Sequence, residues 1–158
     1  MQQKDFVALI QMHSGIIHKV IHLHLDDSDD KKDLYQEIMY QAWKSVKNFR
    51  HDSRFSTWLY RVSLNTVLTY NRKSKKLNTS NGIENLEVAP ISENSDRSDK
   101  LFLAIKRLND IDKTIVTLHL DDYDNQEIAD ITGLTKNNVA VKLHRIKESL
   151  TKMLNHGS

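Results

Sequence analysis

The chain has 158 residues and a net charge of only +2, with 39% hydrophobic and 28% charged residues, a balance that suits a folded protein rather than a disordered one. Four glycines and one proline are too few for a sandwich or barrel, which needs a turn every ~8–12 residues. There is no cysteine, so neither a disulfide framework nor a thiolate metal site is available, and no apolar run approaches the ~18 residues of a membrane span. The N-terminus lacks the basic, apolar, small-residue order of a signal peptide, and a reducing cytoplasm is expected.

The first predicted element is a helix over 4–25, with Phe6, Leu9, Ile10, Ile16, Ile17, Val20 and Ile21 at apolar positions. "DDSDDKKD" (26–33) breaks it and can cap a second helix over 31–48, which buries Leu34, Ile38, Ala42 and Val46 at helical spacing. Residues 49–55 form a loop, and Ser56 can cap a third helix that runs to about Lys76. At 100° per residue Trp58, Arg61, Asn65, Thr69, Arg72 and Lys76 share one face of that helix. Periodicity leaves Trp58 open between packing on a neighbouring helix and stacking on a base beside cations that hold phosphate. Asn, Ser, Gly and the only Pro gather over 77–97, where helical periodicity is lost, and this marks a linker. Charge divides at the same place: residues 1–77 carry +5, 78–97 carry −3, and 98–158 balance.

Behind the linker, helices are predicted at about 97–108, 111–121, 125–132 and 136–154. "DNQEIADITGLTKNNVAVKLHRIKESL" (124–150) has the pattern of a helix-turn-helix. Asp124 and Glu127 make a capping-box-like start, and Ala129 is small where two helices cross. Gly133 stands where the turn needs a positive φ, Thr135 can cap the second helix, and Val139 with Ile128, Leu134 and Leu143 fills the shared core. The outer side then carries Lys136, Asn137, Asn138, Lys142, Arg145 and Lys147, side chains suited to base edges and phosphates. An ordinary helical hairpin with a solvated basic face has the same polarity, but the Ala–Gly–Val spacing favours DNA binding.

Other signals carry less. His18 and His22 have the i,i+4 spacing of metal ligands but lack an accompanying Glu and a clear third ligand. Asp26, Ser28, Asp30 and Glu37 sit at calcium-loop offsets, yet Lys31 stands where such a loop turns on Gly. No nucleophile–base set and no Gly-rich phosphate loop gives support to an enzyme.

Together these residues resemble an extracytoplasmic-function (ECF) sigma factor, the compact two-domain class of bacterial transcription initiation factors. "DLYQEIMYQAWKSVKNFRHDSRFSTWLYRVSLNTVLTYNRKSKK" (33–76) is similar to sigma region 2, and residues 104–150 are similar to region 4. The resemblance implies an all-α fold of two small helical domains: 1–76 for core polymerase and −10 DNA, an acidic linker over 77–97, and a helix-turn-helix domain over 98–158 for −35 DNA. It implies that Asp33, Gln36, Glu37 and Gln41 dock on the clamp helices of the polymerase β′ subunit. It places Arg50, His51, Ser53, Arg54, Ser56, Trp58, Arg61, Asn65, Arg72 and Lys73 on −10 DNA, the loop 50–56 capturing a flipped base. It places Thr135, Lys136, Asn137, Asn138, Lys142 and Arg145 on the −35 element. Its other implied partners are the polymerase β flap and an anti-sigma factor, with no cofactor and no membrane insertion.

Two departures stand out. Ala140 and Val141 occupy positions where many relatives carry a basic residue followed by Ser, so Lys142 and Arg145 must carry more of the contact, and Asn137 and Asn138 can read adenines. The acidic linker, with Glu84, Glu87 and Glu93, is expected to mimic RNA in the polymerase channel. The alternatives are a stand-alone helix-turn-helix regulator and a helical adaptor that binds no DNA.

Overall fold

The computed structural model describes residues 2–49, 54–79 and 96–156. Among them are eight α-helices and no strand, and the chain divides into two compact units, Met1–Glu84 and Asn85–Ser158. The expected capture loop (Arg50, His51, Ser53) and the acid residues Glu84, Glu87 and Glu93 lie outside the described residues.

The front unit holds α1 (Gln3–Met12), α2 (Ser14–His24), α3 (Ser28–Ser45), a 3₁₀ turn (Val46–Asn48) and α4 (Phe55–Thr79). The helix expected over 4–25 is two helices bent by 59° at His13. Apolar periodicity runs through the bend, so it left no mark in the pattern. The cause is local: His13 leaves helical geometry at φ −115° and donates from Nδ1 to the Leu9 carbonyl at 2.9 Å. Ser14 and Gly15 follow, and Gly weakens a helix by about 1 kcal/mol relative to Ala. The bend lets Phe6 and Ile10 of α1 and Ile17, Val20, Ile21 and Leu23 of α2 all reach the core.

Asp27 starts α3. Its carboxylate accepts from the backbone N–H of Asp29 (2.8 Å) and Asp30 (3.1 Å), and those two acids favour the positive end of the helix. Leu34, Ile38, Ala42 and Val46 are buried as their spacing predicts. Against them α4 sets Leu59, Tyr60, Leu64 and Val67, and the Tyr70 hydroxyl donates to Asp30 at 2.7 Å, tying α4 to the start of α3. Ser56 does not cap α4. The helix begins at Phe55, and the Arg54 carbonyl accepts the Trp58 N–H at 3.1 Å. Phe55 packs against Phe49 and His13, which draws it into the first turn. At the other end α4 passes Lys76 and reaches Thr79, for no Gly or Pro stands there to stop it.

The rear unit holds α5 (Arg97–Lys106), α6 (Asp110–Leu120), α7 (Asn125–Thr132) and α8 (Lys136–His156). Each start has its own side-chain cap: Asp96 accepts from Asp99 N–H, Asn109 from Asp112, Asp124 from Glu127, and Thr135 Oγ1 from Asn138 at 3.1 Å. Gly133 ends α7 at φ +80°, the left-handed conformation that costs an L side chain ~1–2 kcal/mol. α8 lies across α5, α6 and α7 and buries Val139, Leu143, Ile146 and Leu150 among Ala104, Ile115, Leu118, Ile128, Ala129 and Ile131.

Candidate nucleic-acid and partner interfaces

Burial of Leu34 and Ile38 forces the opposite side of α3 outward. Asp33, Gln36 and Glu37 are exposed there, and Gln41, half-buried, donates from Nε2 to Glu37 at 3.0 Å. Of the four residues expected to dock on a partner, Asp33, Glu37 and Gln41 line one groove, and Gln36 lies on the α2 side of the helix with His18 and His22. The same helix exposes two aromatic side chains that periodicity did not single out, Tyr40 (57%) and Trp43 (41%), the latter 5.0 Å from the Phe6 ring. Between α3 and α4 runs a groove of about 560 Å³, with Asp33, Glu37 and Gln41 on one wall and Asn65, Thr69 and Lys73 on the other. Residues assigned from the sequence to a protein partner and to DNA thus face each other across it.

Along α4, Arg61, Asn65, Thr69 and Arg72 are exposed on one face, as the helical projection predicts, and Lys73 is exposed beside them; the side chain of Lys76 lies outside the described residues. Arg54 is exposed at the start of the helix and Ser56 is half-buried. Trp58 is half-buried too. Its ring centre lies 5.4 Å from both Phe49 and Phe55, which themselves meet edge-on at 5.9 Å. The three rings bring the two flanks of the 50–53 segment together, so Trp58 fastens the chain as well as ending the polar stripe. Periodicity could not see this, because Phe49 lies outside the helix and meets Trp58 only in the fold.

On α8, Lys136, Asn137, Asn138 and Arg145 are exposed, as are Ala140, Val141, His144 and Lys147. Thr135 is exposed with its hydroxyl used as the cap. Lys142 is different. It is half-buried, and its ammonium lies 3.9 Å from Asp112 on α6, so a carboxylate of this same unit stands beside it. Asp124, at the start of α7, is held below the usual carboxylate range chiefly by accepting the Glu127 backbone N–H.

The histidine pair on α2 is otherwise engaged. His18 stacks on Tyr35 at 5.0 Å, and His22 Nδ1 accepts from the Lys31 ammonium at 3.2 Å. Among the described residues no group of three or more His, Cys, Asp or Glu could hold a metal ion. No single helix among them is long and apolar enough to cross a membrane.

Residues 9–77 match the family model for sigma-70 region 2, and residues 98–150 match that for sigma-70 region 4. The chain is 28% identical to the RNA polymerase sigma factor SigV of Bacillus subtilis (strain 168), over 88% of this chain and 84% of that one. It is 25% identical to the ECF RNA polymerase sigma factor SigW of the same organism, over 96% and 90% of the two chains. The fold is similar to that of the sigma factor RpoE in its complex with the anti-sigma factor NepR from Bartonella quintana. The TM-score is 0.76 at 20% identity, covering 96% of this chain and 98% of that one. A stand-alone helix-turn-helix regulator is not favoured, because the front unit has a family match of its own.

Proposed function

We propose that this chain, which belongs to the extracytoplasmic-function sigma factors and directs promoter-specific transcription initiation, divides promoter recognition between its two units. The front unit docks on core RNA polymerase through the α3 surface of Asp33, Gln36, Glu37 and Gln41. It holds melted −10 DNA on the α4 stripe of Arg54, Trp58, Arg61, Asn65, Arg72 and Lys73, with Ser56 and the segment carrying Arg50, His51 and Ser53 receiving an unstacked base. The rear unit lays α8 in the major groove of the −35 element, where Thr135, Lys136, Asn137, Asn138 and Arg145 meet bases and phosphates. Lys142 joins them on phosphate, with Asp112 3.9 Å from its ammonium.

The observation that carries this division is that two signatures, in the order of regions 2 and 4, each fall on a separate helical unit with its polar stripe exposed. The role requires no catalytic group and no cofactor from this chain, and its place of work is the cytoplasm with the polymerase. Each unit offers few cations, so the free protein binds DNA weakly and in a salt-sensitive way. Docking on polymerase raises the effective concentration of both units at the promoter. The solved fold of a relative with an anti-sigma factor supports an anti-sigma partner here as well.

The docking assignment is tested by replacing Asp33 and Glu37 together with Ala and measuring binding to core polymerase. Both side chains are exposed, so helix content stays unchanged while polymerase binding is lost. Undiminished binding would remove the α3 surface from the account.

A further inference from the structure

The outward face of α8 has an apolar side chain at its centre. The buried edge of the helix is Val139, Leu143, Ile146 and Leu150. At 3.6 residues per turn Val141 points about 170° away from the mean direction of those four. It is 44% exposed, and it is the only large hydrophobic residue of α8 exposed among the described residues. Its neighbours on that face are polar: Asn137 one turn earlier, with Asn138, His144 and Arg145 to either side. Val141 is the sixth residue of α8, within the first two turns that a recognition helix places against base edges.

Among the described residues this isopropyl group stays exposed, open to a ligand from outside the rear unit. The base edges of the major groove display a single apolar group, the C5-methyl of thymine, and valine is the size of side chain that packs against it. The neighbouring Asn137 supports the choice, for a carboxamide pairs with the N6 and N7 of adenine, and every adenine brings a thymine methyl into the same groove. We infer that Val141 is a specificity-determining residue that reads a thymine methyl in the −35 element, beside an adenine read by Asn137. What looked in the sequence like a lost polar contact at Ala140 and Val141 becomes an apolar one, with Ala140 leaving room for close approach. This inference rests on α8 being the −35 reader.

The test uses the full chain with core polymerase, on the −35 sequence it selects from a randomised promoter library. Each thymine of that element is replaced singly by deoxyuridine, which removes only the methyl group, and promoter binding is measured. One position should weaken about fourfold, the effect of burying one methyl group. In Val141→Ala the same replacement should have almost no effect. Alanine favours an exposed helical position, so the variant folds. Specific −35 binding in which no uracil matters, or in which its effect is undiminished in Val141→Ala, would overturn the inference while leaving α8 as the reader. Binding that ignores the −35 sequence altogether would overturn both.

Discussion

Trp58 distinguishes a side chain that serves only DNA from one that also holds the fold. It meets Phe49 and Phe55 at 5.4 Å each, with ring planes inclined by 47° and 38°. Aromatic pairs of this kind contribute about 0.5–1.5 kcal/mol each beyond the area they bury. Trp58→Ala removes both pairs and part of an indole's buried surface. Because Trp58 is half-buried, the cost should be about 2–4 kcal/mol, at or below the range for fully buried aromatics. Trp58→Phe keeps a ring against both neighbours and should cost about 1 kcal/mol. Urea unfolding of the full chain can be followed through Trp43, the other of its two tryptophans, which lies in the same unit against Phe6. Promoter opening is then measured at saturating polymerase, under conditions in which each variant is folded. Trp58→Ala should lose both stability and opening, and Trp58→Phe should retain most of each. A loss of stability below about 0.5 kcal/mol in Trp58→Ala would refute the structural role of the ring cluster.

Gly133 tests the turn of the helix-turn-helix. A Cβ there would meet nothing within 4 Å, so Gly133→Ala suffers only the backbone cost of φ +80°, about 1–2 kcal/mol by thermal unfolding. An unchanged midpoint would contradict the left-handed turn, and Gly133→Asn should cost less than Gly133→Ala. Asp124 gives a pH signature. Its folded acidity lies below the ordinary value of 3.8, so its stabilisation is fully present above pH 3.8 and is lost as the pH falls through the lowered value. Acid unfolding of Asp124→Asn, which keeps an acceptor but cannot titrate, should lack that component. Identical acid profiles for the two proteins would count against the cap.

Much of the fold was legible because it is local. The burial of α3 follows from Leu34, Ile38, Ala42 and Val46 recurring at helical spacing, and the last two rear helices begin at the caps their sequence offers, Asp124 and Thr135. Gly133 and Thr135 stand where the turn and the α8 cap require them. What escaped was set by contacts distant in sequence or by competition within a turn. His13 bends α1 from α2 without disturbing the apolar period. The projection of α4 aligns Trp58 with the polar stripe but cannot show its contact with Phe49. Lys142 stands among the outward residues in the helical pattern, and only the packing of α8 on α6 brings Asp112 to 3.9 Å. The outward position of Val141 follows from the helical period, and its 44% exposure bears that out.

The central claim is that this chain confers promoter choice on core RNA polymerase. Transcription in vitro from a genomic library, with purified core polymerase and this protein as the only initiation factor, tests it most directly. The account predicts discrete start sites that share −10 and −35 elements, appear only when the protein is added, and vanish with the paired Asp33→Ala and Glu37→Ala substitutions. Folded protein that binds core polymerase yet produces no specific start sites would contradict it.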